Sequence, residues 1–347
     1  MMRTTDWGTA GKAGGARAKV GNVGSSAGTG GPDHTLALEL VPVTEAAALA
    51  AGRWVGRGDE NSGKAAAVDV IHKLIPSVSI RGAVVIGGDG QLLRDGEEVG
   101  EAGSPACDVG ISAGDGALSV ARDVPNALVA IAVAERGALY DPPPAHSMEK
   151  LAVGPDCADV VDIDRPVAQN LRAVATAKGV GVPDVVVAVL NRPWHRELVY
   201  QIRDAGARVH LVEGGEVAGA IAAARPESPV DMLLGTGGAA EGVVAAAALS
   251  CLGGSLQARL RCKAREDEET GHDFGEVLHT RDLVRGESIS FCATAVTGSE
   301  VLRGIQHHGG HSTTESIVLC SKPRIVRIVR SEHRQAGRRE RGEHRFA

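Results

Sequence analysis

From residue 166 to 251 the chain switches repeatedly between two hydrophobic periods, and this alternation limits the folds open to it. A helical pattern over 166–178 precedes the apolar run Val185–Leu190, and a second over 194–206 precedes Arg208–Val212. Helix 216–223 then leads to strand 231–234 and helix 241–251. Apolar residues three or four apart favour a helix with one buried face, and short β-branched runs bounded by turn residues favour strands. Helices and strands in such alternation form an open α/β layer. The upstream half has another texture. Thr44 is expected to cap a helix running to about Val55, and Lys64–Leu74 reads as a second helix. Ala83–Ile86 reads as a buried strand ending in Gly87-Gly88, and Ala127–Ala134 with Gly137–Tyr140 as an antiparallel hairpin. Strands near 288–294 and 315–329 close the pattern. The expectation is an α+β half over 34–165 and an α/β half over 166–330, with a site in the crevice between them.

The ends differ from this body. Residues 1–33 are Gly, Ala, Ser and Thr with little periodicity and read as a disordered extension; the Arg-rich 331–347 reads as a solvated tail. The first 33 residues carry +2 and residues 330–347 carry +3, so an overall charge of −6 leaves −11 on the stretch between them. An acidic body with three Trp, two Tyr and three Phe argues against nucleic acid, which needs basic grooves and stacking platforms. It leaves room for a site that collects metal ions. A hydrophobic content of 43 % is enough for a real core, and 347 residues suggest roughly two domains. No apolar run is expected to reach the ~20 residues that cross a bilayer, and no secretory h-region is visible, so no membrane role and a cytoplasmic location are expected. Cysteines 107, 157, 251, 262, 292 and 320 form no Cys-x-x-Cys, which excludes a zinc module or a disulfide framework. Cys251 and Cys320 read as buried small residues, and His307-His308-Gly-Gly-His311 as a solvated loop. The stretch Gly235-Thr-Gly-Gly-Ala-Ala-Glu-Gly242 reads as a turn between strand and helix, able to offer N–H groups to a phosphate or simply to connect the two.

Segment after segment resembles class II fructose-1,6-bisphosphatase, the bacterial glycerol-regulon type. The matching stretches are Val43-Thr-Glu-Ala-Ala-Ala-Leu-Ala50, Trp54-Val-Gly-Arg-Gly-Asp-Glu-Asn61, Val84-Val-Ile-Gly87 and Asn126-Ala-Leu-Val129. They continue, in order, through Met148-Glu-Lys-Leu-Ala-Val-Gly-Pro155, Gly235–Val243, Phe291-Cys-Ala-Thr294 and Ser312-Thr-Thr-Glu315. The resemblance implies the layered αβαβα sandwich shared with inositol monophosphatases. It implies hydrolysis of the 1-phosphate of fructose 1,6-bisphosphate, a phosphorylated sugar, in gluconeogenesis. It also implies Mn²⁺ or Mg²⁺ held by several carboxylates, since hard cations need oxygen ligands and a bound metal lowers the pKa of the attacking water.

At the positions that the resemblance assigns to metal, the residues differ. The five carboxylate positions fall on Lys64, Gly88, Ser112, Asp115 and Glu241, so the set carries −1 where five acids would carry −5. The threonine that would help position water falls on Ala117. Asp115 and Glu241 are therefore the remaining candidate ligands, with Asp115 and Ala117 at the catalytic positions. Asp59, Glu60, Asp89, Asp108 and Asp115 lie nearby in the same layout and could rebuild a metal site or be ordinary surface or turn acids, the latter being expected. Substrate contacts would fall on Gly116, Ser147, Arg192, Pro193, Trp194, Gly214, Gly215, Glu216 and Gly238, with Arg192 the one cation of the clamp and Trp194 an aromatic in place of the other. Lys64 has two readings: an amine that reaches Asp115 or Glu241 in place of a cation, or a side chain that extends to solvent. Two functions are expected from this. One is family-type metal-dependent hydrolysis on a weakened site. The other is a non-catalytic paralogue that binds a sugar phosphate or partners an intact homologue. The family resemblance implies a homo-oligomer, and the paralogue reading a hetero-oligomer.

Overall fold

The computed structural model describes residues 34–88, 91–143, 147–261 and 275–334. The chain begins with helices α1 (His34–Gly52) and α2 (Glu60–Leu74), followed by β1 (Arg81–Ile86), β2 (Glu98–Gly100), β3 (Ala106–Ser112), α3 (Ala117–Arg122), β4 (Leu128–Glu135) and β5 (Ser147–Val153). The alternating stretch supplies α4 (Val167–Lys178), β6 (Val186–Leu190), α5 (Arg196–Asp204), β7 (Arg208–Val212), α6 (Glu216–Ala223), β8 (Met232–Gly238) and α7 (Ala239–Leu252). It ends with β9 (Ser255–Arg261), β10 (Leu278–His279), α8 (Thr280–Leu283), β11 (Ile289–Ala295), β12 (Gln306–His308), β13 (His311–Ser321) and β14 (Arg324–Arg334).

The strands form two sheets. The first has eight strands in the order β12-β13-β11-β4-β3-β1-β2, with β14 on the other side of β13; the second has six in the order β10-β9-β5-β8-β6-β7. Strand alternation decides which core each side chain enters, because successive residues point to opposite faces. In β4, Val129, Ile131 and Val133 face the core beneath α1 and α2, while Leu128, Ala130, Ala132 and Ala134 face the core between the sheets. In β6, Val187 and Val189 pack toward α4 and α5, and Ala188 packs toward the centre. The central face is rich in alanine because α7 must fit between two sheets. α7 is apolar around its whole circumference, and Val243 to Leu249 are all buried. A helix that is hydrophobic all round belongs in such a place. The layers are thus α1 and α2, the first sheet, α6 and α7, the second sheet, then α4 and α5, an αβαβα sandwich.

Several expectations need correction. Thr44 does not start a helix: α1 begins ten residues earlier and runs through Pro42. Thr44 lies inside it, its hydroxyl bonding back to Leu40 and Val41 carbonyls and accepting from Thr294 Oγ1 at 2.8 Å. Burial of Leu36, Ala37, Leu40, Val41, Ala47 and Ala48 against the sheet offsets the backbone bond that proline removes. This helix also holds an apolar stretch of membrane-crossing length, Thr35–Gly52, which the sequence reading did not anticipate; it is 56 % buried against the first sheet. Gly137–Tyr140 does not form a hairpin with β4, whose two edges are taken by β3 and β11. Instead Leu139 bridges Val284 and donates its N–H to the buried Asp108 carboxylate. Sheet membership also departs from the division at residue 165. β5 belongs to the second sheet, whereas β11 to β14 return to the first. β14 continues to Arg334, inside the stretch read as a tail. Residues 1–33, Asp89, Cys262 and 335–347 lie outside the described residues.

The tight central layer makes a prediction. Ala247→Leu, fully buried in α7, should destabilise the protein by about 1–3 kcal/mol through overpacking. The same change at the exposed Ala177 should stay within about 0.5 kcal/mol, both read from urea unfolding.

Candidate functional site

The two sheets meet where β3 turns into α3, and the loop between them reaches across to the second layer. Asp115 projects from this loop to the start of α6. Its two carboxylate oxygens accept the N–H groups of Glu216 at 2.8 Å and Val217 at 2.7 Å. These are orphan donors of a helix first turn, so Asp115 serves as the cap that Gly215 lacks. Burial pushes the Asp115 carboxyl up to about 8, with the charges of Glu216 and Glu241 adding to the rise and the two backbone donors opposing it. Gly116 and Gly215 have positive φ and stand against Ala127 and Asn126 with no room for a side chain.

Behind Asp115 lies a buried ion pair. Lys150 on β5, 2 % exposed, sits 3.2 Å from Glu216 and donates to the Gly238 carbonyl at 2.6 Å. Glu216 in turn accepts the Gly238 N–H at 3.0 Å. A Cβ on Gly237 would lie 1.7 Å from Glu216 Oε1, so glycine there is required by the carboxylate itself. Glu241, in the first turn of α7, folds back over Gly238, where a Cβ would lie 1.8 Å from its Oε2. Burial and the neighbouring Glu216 raise its pKa, while its own backbone N–H and the ammonium groups of Lys150 and Lys64 oppose that rise.

The glycine-rich stretch differs from its expected form. Gly235 to Gly238 are the end of strand β8, paired with Ser147 to Lys150, and α7 starts directly at Ala239. The Gly238 N–H is already taken by Glu216, and Glu241 lies over the helix start, so there is no open phosphate cradle here.

Four of the five assigned metal positions converge on one small cavity of about 40 Å³: Lys64, Gly88, Ser112 and Glu241 line it together. Lys64, from α2, lies across Gly114, its Cδ and Cε 2.9 Å from where a Cβ would be. The extended reading of Lys64 as a solvent-facing side chain is therefore replaced by one in which it points into the site. Ser112 Oγ is buried without a hydrogen-bond partner among the described residues. Asp115 stands beside this cavity with both oxygens committed to α6. A divalent ion needs several oxygen ligands, mostly carboxylates. Here the donors are one carboxylate and one hydroxyl beside an ammonium, and among the described residues no three His, Cys, Asp or Glu side chains are grouped to hold an ion. Among the described residues this donor set does not fit a divalent metal. Asp59 is spent as the N-cap of α2 and Asp108 as the partner of Leu139; Glu60 faces the larger cleft.

That cleft, about 610 Å³, opens beside the small cavity. Gly116, Ala117, Ser147, Arg192, Trp194, Gly214, Gly215, Glu216, Gly238 and Glu241 line it. Pro193 does not: it faces a separate groove on the other side of Arg192. Arg192 Nη1 donates to the carbonyls of Asn191 at 3.0 Å and Glu213 at 2.8 Å, which fixes its guanidinium at the rim. Trp194 is 63 % exposed, with Nε1 3.5 Å from the Thr236 carbonyl. Ala117 opens α3 with no hydroxyl.

Sequence reasoning missed two supporting residues. His195 is buried, accepts the Thr236 N–H at Nε2 and so donates from Nδ1 to the Leu190 carbonyl; burial lowers its pKa and keeps it neutral. Gly235 at φ +142° leaves space for its ring. Lys150 was inside a quoted matching segment, but its charge partner is 66 positions away. The His307–His311 segment forms an exposed hairpin in which His308 and His311 stack at 5.0 Å, away from the cleft.

Comparison with known proteins comes to the same place. Residues 34–333 match the family described as bacterial fructose-1,6-bisphosphatase, glpX-encoded. The chain is 35 % identical over 324 residues to fructose-1,6-bisphosphatase 1 class 2 of Escherichia coli K12, covering 86 % of this chain and 95 % of that protein. The class 2 enzymes of Escherichia coli O6:H1 and Shigella flexneri match with the same identity and coverage.

Two predictions follow from the charge cluster. Lys150→Met should cost about 3–5 kcal/mol in urea unfolding, because it leaves Glu216 buried without its cation. Asp115 has a folded-state pKa above its ordinary value of 3.8, so folding favours its protonated form. Its contribution to stability should decline as pH rises from about 3.8 to about 8 and stay flat above that. Unfolding free energy measured across that range should fall less steeply in Asp115→Asn.

Proposed function

The chain belongs to the bacterial glpX-encoded fructose-1,6-bisphosphatase family, and from that premise we propose that it binds a phosphorylated sugar in the cleft without hydrolysing it by metal catalysis. The observation that carries this reading is Lys64 lying over Gly114 in the same cavity as Gly88, Ser112 and Glu241. An ammonium at that point repels the divalent ion that would activate water and neutralise the phosphoryl oxygens. The charges around the cleft are instead balanced internally. Lys150 offsets Glu216, Lys64 offsets Glu241, and burial raises the Asp115 pKa toward its neutral form. Ala117 supplies no hydroxyl to orient a nucleophile.

Binding draws on different residues. Two bonds from Arg192 Nη1 to main-chain carbonyls leave its other N–H donors for a phosphate oxygen. Trp194 presents an exposed ring to the cleft, suited to the apolar face of a sugar. The Glu60 carboxylate on the wall suits sugar hydroxyls, which can donate to it.

Calorimetric titration with fructose 1,6-bisphosphate tests the proposal. Heat of binding is expected with or without Mn²⁺, at least about tenfold weaker in Arg192→Ala. No release of inorganic phosphate above background is expected with Mn²⁺ or Mg²⁺. Metal-dependent phosphate release that disappears in Glu241→Ala would overturn it.

A further inference from the structure

We propose that the groove on the far side of Arg192 is a second binding site, for a compact anion carrying two or more phosphate or carboxylate groups, and that its occupant opposes the sugar phosphate in the cleft. The groove, about 450 Å³, is lined by residues of α5 and of the ends of β6 and β7. That volume lies in the range of small-molecule pockets, which begins at about 300 Å³. Arg192, Arg196 and Arg203 line it, and no carboxylate among the described residues does. This positive cluster stands on a body that carries −11 between residues 34 and 329. The spacing on α5 produces it. Arg196, Tyr200 and Arg203 are four and three residues apart, so the helix turns all three to one face.

Several surface arginines are paired, Arg122 with Glu213, Arg165 with Asp162 and Arg303 with Glu315. The side chains of Arg196 and Arg203 form no ion pair or hydrogen bond among the described residues. Helix stability does not explain Arg196, which opens α5 where the positive helix end disfavours a cation. Guanidinium forks bind phosphate and carboxylate through paired hydrogen bonds. Arg196 and Arg203 are two turns apart, roughly 10 Å along the helix, so an anion with several charged groups meets both and a singly charged one meets one. Between them Tyr200 is 50 % exposed, and Leu211 on β7 is 43 % exposed, a surface for the carbon skeleton of the ligand.

Arg192 belongs to both cavities. Its Nη1 is held by the Asn191 and Glu213 carbonyls, which leaves its other N–H donors to serve one side or the other. An anion in the groove draws on donors that a sugar phosphate would use, so each ligand weakens the other by the same factor. This antagonism, unlike the groove site itself, rests on the binding role proposed for Arg192 in the cleft.

Calorimetric titration of the full chain with inorganic pyrophosphate and with citrate tests both parts. At least one should bind one-to-one, and more weakly as salt rises. Tighter pyrophosphate marks phosphate as the recognised group, and tighter citrate marks carboxylate. Arg196→Gln combined with Arg203→Gln should weaken that binding at least about tenfold. Arg172→Gln combined with Arg281→Gln removes the same charge from exposed positions elsewhere and should leave it unchanged. The bound probe should weaken fructose 1,6-bisphosphate at least about fivefold in the unmodified protein and have no effect in the Arg196, Arg203 double variant. Thermal unfolding of each variant confirms that it folds. Failure of both probes to bind at millimolar concentration overturns the proposal, as does binding that survives loss of both arginines, which would put the probe in the cleft. A probe that binds in the groove and leaves fructose 1,6-bisphosphate binding unchanged overturns the antagonism. If fructose 1,6-bisphosphate does not bind at all while the groove responds as stated, the reading of the cleft fails and the groove site stands.

Discussion

The ion pair between Lys150 and Glu216 is the interaction on which the cleft depends. It joins three separate elements: the middle of β5, the first residue of α6, and the end of β8 through both the N–H and the carbonyl of Gly238. Asp115 adds the fourth by reaching from the first sheet to cap α6. Burying these charges is expensive, and only a closed set of partners makes it tolerable. The glycines at 237 and 238 follow from the same arrangement, since any Cβ there would collide with a carboxylate. The walls of the cleft are thus held by charge balance among these residues.

Lys64, Gly88 and Ser112, at the positions that the resemblance assigns to acids, fit this internal balance. Glu241, Asp115 and Glu216 are three acids close together in a poorly solvated place. Lys64 counters that repulsion, and its charge lowers the pKa of Glu241 against the effect of burial. Bulk charge gave no hint of this. The −11 carried by the body suits a metal-collecting protein, yet most of its acids are spent elsewhere, Asp59 on a helix cap and Asp231 on Lys178 and a backbone N–H, for example.

The alternation of helices and strands from 166 onward was readable because each element there is short, amphipathic and bounded by turn residues. α4, β6, β7 and α6 all lie within a residue or two of their expected bounds. β3, β5 and β9 were harder to see. Asp108 and Gly110 interrupt β3, Glu149 and Lys150 interrupt β5, and Gln257 and Arg259 interrupt β9. Each polar residue is explained only by a distant partner: Leu139 for Asp108, Glu216 for Lys150, Val161 and Ile163 for Gln257. The misplaced start of α1 has a similar origin, since Pro42 reads as a helix boundary until the sheet that buries its neighbours is known.

The sequence by itself determined the family, the α/β character of the chain, and which residue type stands at each position of the site. Those are properties of pattern and identity, carried along the chain. Only the tertiary structure decided where the charges point. Lys64 could have run out to solvent, Asp115 could have faced an ion, and Gly235 to Gly238 could have formed an open turn. A side chain's direction is set by what packs around it, and those neighbours come from distant elements, as α6 does for Asp115 about a hundred residues away.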